Sequence, residues 1–445
     1  MTHDPIAITG VGLVTAIGIG NQEYFDGLLS GHNGVTSLAD RTDGDVTPDE
    51  NEPVDGVWVG APITAFEPKK YVRPRKALKV MCREIQIALA SAHLALEHAG
   101  IEGPLTDDGA LSPSRVGTVY GSELYYTPPA DLVDSIRSSV DEAGEVMLSD
   151  FGAAVRRDVM PLWMLKFLPN MPACQVSIAI NAQGPSNTLV AADASGPNAL
   201  AEAISYLQRD LADLVLCGSS GTRIGALRLA YHGDLPTVQR GERSLEHTAV
   251  AHGREACGVV GGEGAASLTL EPLTRAQQRG ATVMGIVSSI ASRFVAAESI
   301  RSGTYSGELH PKHSKGSAPA LKLAIQAALE QADLTADQIG AVVSHAVGEL
   351  GMDQAERTAL AETGINAPLV APYASLGHTG AASGMIELAT AALITANNQV
   401  PPTRNADLAA EDCFLQTPQF LKQPHVLALS QTCEGAATAA IISQP

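Results

Sequence analysis

Three side chains stand where acid–base or anion-stabilising chemistry is feasible. Asp193 lies in "LVAADASGPNALAEAISYL" (189–207), between an apolar segment and a small-residue helix. His378 lies in "GHTGAASG" (377–384), at the start of a second such helix, and His345 falls in the apolar run "IGAVVSHAV" (339–347). A carboxylate and two imidazoles can give and take protons at neutral pH. Helix N-termini beside them favour developing negative charge. Each residue also has a plain structural reading. An Asp before a helix caps it, contributing ~1 kcal/mol, and a single His is ordinarily a hydrogen-bonded structural residue.

The surrounding pattern shows how such distant positions could meet. "IAITGVGLV" (6–14) predicts a strand leading into a Gly-rich turn, and "QEYFDGLLSG" (22–31) a helix ended by Gly31. "RKALKVMCREIQIALASAHLALEHAG" (75–100) predicts one long amphipathic helix, and "QVSIAINAQGPSNTLVAA" (175–192) a strand, a Gly-Pro turn and a strand. Beyond Ser195, residues Leu200, Ile204, Leu207 and Leu211 form one helical stripe. "ADLVLCGSS" (212–220) and "GEGAASLTLEPL" (262–273) predict buried strands. The second half repeats the scheme, with a helix over 317–333 and strands over 339–347 and 425–432. Between these strands, "LVAPYASLGHTGAASGMIELATAALI" (369–394) predicts strand, bend and helix. Strand, polar elbow, Ala/Gly-rich helix and strand thus occur at both 187–220 and 369–432, as an internal duplication would have it. Alternating strands and helices give a layered α/β fold with mixed sheets. Two equivalent elbows would face each other across a pseudo-twofold axis, bringing Asp193 towards His378.

Bulk properties set the outer bounds. A length of 445 residues suffices for two fused halves, and 45% hydrophobic with 17% charged residues describes a compact soluble chain. A net charge of −19 excludes a phosphate-neutralising nucleic-acid binder. No long uncharged apolar run predicts a membrane span, and the N-terminus lacks the regions of a signal peptide, so a cytoplasmic location is expected. Cys82, Cys174, Cys217, Cys257, Cys413 and Cys433 are scattered without a CxxC pair, the pattern of thiols in a reducing compartment. "GVGLVTAIG" continues into no GxGxxG or Walker pattern, which excludes a nucleotide loop. The acidic stretch "DRTDGDVTPDENEPVD" (40–55) predicts a solvated insertion. No resident cofactor or metal is expected.

Several segments follow the order and spacing of one known family: "IAITGVGLVTAIG", "YVRPRKALKVMCR", "PNMPACQVSIAINAQGPS", "ADLVLCGSS", "GEGAASLTLE", "SHAVGELGMDQAE", "GHTGAASGMIE" and "QVPPTRN". The chain resembles β-ketoacyl-acyl-carrier-protein synthases of the elongating type over almost its full length. The resemblance implies a thiolase-like, duplicated α-β-α-β-α fold with mixed five-stranded sheets. Its halves would span 1–275 and 276–445, with surface insertions near 36–60 and 104–170. It also implies an obligate dimer, and substrates carried as thioesters on the phosphopantetheine of an acyl carrier protein. In such enzymes a Cys at the first elbow takes the acyl chain as a thiolate nucleophile. Two histidines hold the malonyl thioester carbonyl and stabilise the enolate formed as carbon dioxide leaves.

Carried over residue by residue, His345 and His378 match the two histidines, and Asp193 matches the Cys. Other parts of the usual site are altered too. The Lys five residues before the second His is Tyr373, and the Thr-bearing pantetheine loop reads Val347 and Glu349. The terminal gating loop reads "SQTCEGAAT" (430–438), with Cys433 where a Phe would stand. A carboxylate is a weak nucleophile towards thioesters, and an ionised Asp193 would repel a malonyl carboxylate by about 4 kcal/mol at ~4 Å and an effective dielectric near 20. Glu349 would add to that repulsion if it faced the tunnel.

Lys69, Lys70, Arg73, Arg75, Lys76, Lys79 and Arg83 concentrate basic charge in an acidic chain. They form either a docking patch for an acidic acyl carrier protein or a solvated helix face. Three readings follow. The first is a condensation-incompetent, chain-length-factor-like partner of a Cys-bearing synthase, in a heterodimer. The second is an enzyme of altered chemistry, decarboxylating malonyl-carrier or using Asp193 in hydrolysis or acyl transfer. The third is a divergent 3-oxoacyl-acyl-carrier-protein synthase. The latter two allow a homodimer.

Overall fold

The structure is a computed structural model describing residues 4–38, 59–125, 131–224, 245–253, 258–301, 315–410 and 413–445. The acidic stretch 40–55 and Cys257 lie outside the described residues.

Among the described residues, ten strands of a thirteen-stranded sheet carry the architecture. The first half supplies β1 (Ile6–Thr15), β2 (Val116–Ser122), β3 (Ser186–Val190), β4 (Leu214–Thr222) and β5 (Gly261–Pro272). They pair in the order β1-β5-β4-β2-β3. The second half supplies β6 (Gly285–Phe294), β7 (Ile339–Val343), β8 (Leu369–Val370), β9 (His425–Gln431) and β10 (Ala436–Ser443), in the order β6-β10-β9-β7-β8. The two orders correspond strand for strand. The senses correspond too, running antiparallel, antiparallel, parallel, parallel from β1 or β6 outwards. The expected five-stranded sheets are joined at an edge, because Ile6–Ile8 pair antiparallel with Gly285–Val287. One continuous sheet therefore runs through both halves.

Six helices layer this sheet. α1 (Arg83–His98) and α2 (Met171–Ile180) cover one outer face, and α4 (Ala318–Ala332) and α5 (Leu350–Thr363) cover the other. Between them α3 (Ser195–Gln208) and α6 (Ser383–Asn397), the helices that follow the two elbows, pack on each other. α6 is buried from Ser383 to Thr395. Small residues permit these approaches. A Cβ on Gly12 of β1 would lie 2.1 Å from the Ser91 carbonyl of α1, and one on Gly384 would lie 2.3 Å from Pro197 of α3.

Three local expectations are corrected. Residues 175–180 are helix, not strand. Val176, Ile178 and Ile180 alternate with period two, but Pro172 opens a helical turn and Asn181 closes it at φ 58°. The expected helix over 75–100 is two elements. A 3-10 turn over Arg75–Val80 gives way to extended backbone at Met81 and Cys82, burying Met81 in the same apolar cluster as Val72. Leu211 drops out of the buried stripe because α3 ends at Gln208, leaving Leu211 39% exposed. Among the described residues, no helix is long and apolar enough to cross a membrane.

Candidate active site

The duplicated elbows do face each other. Asp193 sits in the tight turn Ala192–Ala194 before α3, and His378 leads into the turn Gly380–Ala382 before α6. Glycine lets the helix starts meet: a Cβ on Gly196 would collide with Met385 at 2.7 Å, and one on Gly384 with the Asp193 carbonyl at 2.7 Å. His378 Nε2–H donates to Asp193 Oδ1 at 2.5 Å, joining residues 185 positions apart. His345, two residues beyond β7, brings its Nε2 to 4.0 Å from the same oxygen. All three side chains are buried.

Asp193 is therefore not the helix cap its position suggests. No side-chain cap bonds the start of α3, since the carboxylate points across the axis to His378. Burial acts to raise its pKa. The charge and hydrogen bond of His378, then His345 and Arg223, outweigh burial and hold the carboxyl well below its usual range. Asp193 is ionised at neutral pH.

His345 is locked by acids that motif reading did not single out. Its Nδ1–H donates to Glu387 Oε1 of α6 at 2.5 Å, and its backbone N–H donates to Glu356 Oε2 of α5 at 2.9 Å. Ser344 Oγ donates to the other Glu356 oxygen. Burial works against a charged imidazole, but Glu387, with Asp193 and Glu356 behind it, pushes His345 up to about 9. That leaves His345 Nε2 buried, aimed at Asp193, and without a hydrogen-bond partner among the described residues. Behind Glu356 lies His252, with Nε2 at 3.3 Å, and the backbone N–H of His252 donates to Asp353. Arg223, at the end of β4, pairs with Glu123 at 2.5 Å. Glu387 was discoverable in principle, as the one acid in the otherwise uncharged helix "SGMIELATAALITAN".

A family model described as "Beta-ketoacyl synthase, N-terminal domain" matches residues 3–276, and one described as "Beta-ketoacyl synthase, C-terminal domain" matches residues 296–407. The chain belongs to the β-ketoacyl synthase family. The tetracenomycin polyketide synthase ketoacyl synthase alpha subunit of Streptomyces glaucescens is 25% identical over 99% of this chain and 97% of its own length. The beta subunit of the same system is 27% identical over 98% of each chain. The solved structure titled "The ishigamide ketosynthase/chain length factor" superposes with a TM-score of 0.77 over the full length of both chains at 20% identity, a likeness of fold. That fold is the thiolase-like layered α/β architecture.

Tyr373, Val347, Val259 and Met352 form one buried cluster, with Cys433 packed against it. The Tyr373 hydroxyl lies 2.8 Å from Glu387 Oε1 and 2.7 Å from the Ser383 carbonyl. Burial pushes this phenol well above its usual pKa, so a neutral group faces Glu387 and His345 becomes the cation beside it. The Glu349 carboxylate caps α5, accepting from the Met352 N–H at 2.8 Å. The Cys433 loop reaches the first elbow through Ser430 Oγ, which donates to the Asp193 carbonyl at 3.1 Å.

Six of the seven basic residues form a surface patch: Lys69, Lys70, Arg73, Arg75, Lys76 and Lys79 are exposed around the 3-10 turn. Arg83 is withdrawn from it. Its guanidinium pairs with buried Glu263 at 2.7 Å, bonds the Ile63 carbonyl and lies over the Phe66 ring.

Proposed function

We propose that this chain is a condensation-incompetent, chain-length-factor-like subunit of fatty-acid- or polyketide-type acyl-chain assembly, paired in the cytoplasm with a Cys-bearing β-ketoacyl synthase. The observation that carries the reading is the elbow itself. Where acyl transfer needs a thiolate, Asp193 holds a low-pKa carboxylate committed to His378 at 2.5 Å. An acyl–Asp anhydride hydrolyses readily, and the fixed negative charge opposes a malonyl carboxylate. Pairing is supported by β3, an edge strand hydrogen-bonded only to β2 among the described residues, with Val190 half exposed along it. Relatives named as alpha and beta ketoacyl synthase subunits accord with a two-subunit assembly. The exposed patch at 69–79 suits an acidic acyl carrier protein.

The test combines malonyl-loaded and acyl-loaded carrier protein with the purified chain, alone and with a Cys-bearing synthase, and follows all species by intact mass. The expected result is no acyl-enzyme and no ketoacyl product from the chain alone, with product and stable co-purification once the synthase is added. A ketoacyl product from the chain alone overturns the reading.

A second reading, decarboxylation of malonyl-carrier or Asp-assisted hydrolysis or acyl transfer, is favoured by one observation. His345 Nε2 is buried without a hydrogen-bond partner among the described residues, as a donor awaiting a thioester carbonyl would be. The same assay reads it. Loss of carbon dioxide or of the whole malonyl group, abolished in His345→Ala or His378→Ala, establishes an enzyme.

A further inference from the structure

The geometry points to a binding site for a first-row divalent transition-metal ion, formed by Asp193, His345 and His378. Among the described residues these three place candidate ligand atoms within 4.8 Å of one another, and all three are buried. The set is two imidazole nitrogens and one carboxylate oxygen. That combination suits Zn2+, Co2+ or Fe2+, whereas Mg2+ and Ca2+ prefer all-oxygen shells. The inference goes beyond the subunit role proposed above and does not depend on it.

The distances put all three groups within reach of one ion. A tetrahedral ion with bonds of about 2.0–2.1 Å holds its ligand atoms about 3.3 Å apart. Asp193 Oδ1 is now 2.5 Å from His378 Nε2 and 4.0 Å from His345 Nε2. One separation is too short and the other too long by similar amounts. Moving the carboxylate oxygen by less than about 1 Å towards His345 equalises these two, and the two ring nitrogens, within 4.8 Å of one another, close on the ion by small rotations of their side chains. The ion then takes the place of the proton between His378 and Asp193. It also displaces the Nε2 proton of His345 to solvent, as metal binding to an imidazolium requires, and so satisfies a ring nitrogen that has no hydrogen-bond partner among the described residues.

The surroundings match a metal centre as well. The other ring nitrogen of His345 is held by Glu387 at 2.5 Å, the carboxylate–histidine arrangement that orients an imidazole ligand and raises its basicity. Tyr373 in turn steadies Glu387. Arg223, the cation that would oppose a second positive charge, is paired with Glu123 at 2.5 Å. Three protein ligands leave a further coordination position for water or a carbonyl oxygen. The substitution at the first elbow is what creates this donor set, since Asp193 contributes its only anionic ligand.

The test uses the full chain without carrier or synthase, so its outcome is separate from that of the proposed function. Chelator-stripped protein is given Zn2+ or Co2+, desalted, and measured by elemental analysis, native mass spectrometry and visible absorption. The expected result is a single retained ion per chain and Co2+ bands typical of nitrogen and oxygen ligands. Asp193→Asn and His378→Gln should each weaken binding by at least about tenfold, and Glu387→Gln, which touches no metal, by roughly 10–100-fold. Circular dichroism confirms that the near-isosteric variants are folded. Failure of the folded wild-type chain to retain metal overturns the proposal. So does equal retention by the folded Asp193→Asn, His378→Gln double variant, or a Co2+ thiolate band placing the ion on a cysteine.

Discussion

Asp193→Asn removes one charge from the buried cluster while keeping the side chain's volume, and its effect is readable at His345. Asp193 Oδ1 lies 4.0 Å from His345 Nε2. At that separation and an effective dielectric near 20, the attraction is about 4 kcal/mol. At ~1.4 kcal/mol per pH unit, that is a ceiling of about three pH units on the His345 titration. The realised effect is smaller, because burial opposes the charged ring and Glu387 at 2.5 Å is its larger support. His345, pushed up to about 9 in the native chain, should therefore fall by about one to three pH units in Asp193→Asn, and by more in Glu387→Gln. The assay is NMR of histidine-labelled protein, following ring resonances from acid to alkaline pH, with near-UV circular dichroism as the fold control. An unmoved His345 titration in Asp193→Asn, or a smaller effect in Glu387→Gln than in Asp193→Asn, refutes the electrostatic account of the site.

Three further outcomes follow from the same structure. The folded-state pKa values of His345 and His252 are raised to about 9 and about 10, so the stability they contribute is fully present below the unfolded value near 6.5 and is lost as pH rises through 9 to 10. For His345 alone this amounts to roughly 3 kcal/mol; urea midpoints should fall over that range, and fall less in His345→Gln. Gly384→Ala forces a Cβ to within 2.3 Å of Pro197 and 2.7 Å of the Asp193 carbonyl, and should cost about 1–3 kcal/mol or more by separating the helix starts; an unchanged melting temperature would contradict that packing. Reversing charge at Lys69, Arg75 and Lys79 should weaken acyl-carrier binding at least about tenfold at low salt and flatten its ionic-strength dependence; isothermal titration showing equal affinity removes the patch from the docking surface.

Much of the fold was legible because its signals are local. β1, β4, β5 and β9 are buried apolar runs, and α4 and α6 begin and end within a few residues of their predicted limits. The repeated strand–elbow–helix–strand order was visible in sequence, and with it the expectation that Asp193 and His378 face each other. Residues 171–180 misled because a short run of alternating Val and Ile carries the period of a strand, and only the Pro172 and Asn181 boundaries contradict it.

The sequence by itself determined which groups are available: Asp193 at the first elbow, His345 and His378 in the second half, Tyr373 before the second elbow, and a basic segment in an acidic chain. Only the tertiary structure decided what they do to one another. A helix cap and an ion-pair partner have the same local pattern, an acidic residue within two positions of a helix start, and they differ in what the carboxylate meets in space. At Asp193 that is His378, brought to 2.5 Å by the antiparallel pairing of β1 with β6 and by glycine contacts between two helix starts. At Glu349 the carboxylate turns back to cap its own helix. Periodicity records a residue's neighbours along the chain, whereas charge, burial and pKa depend on neighbours in space.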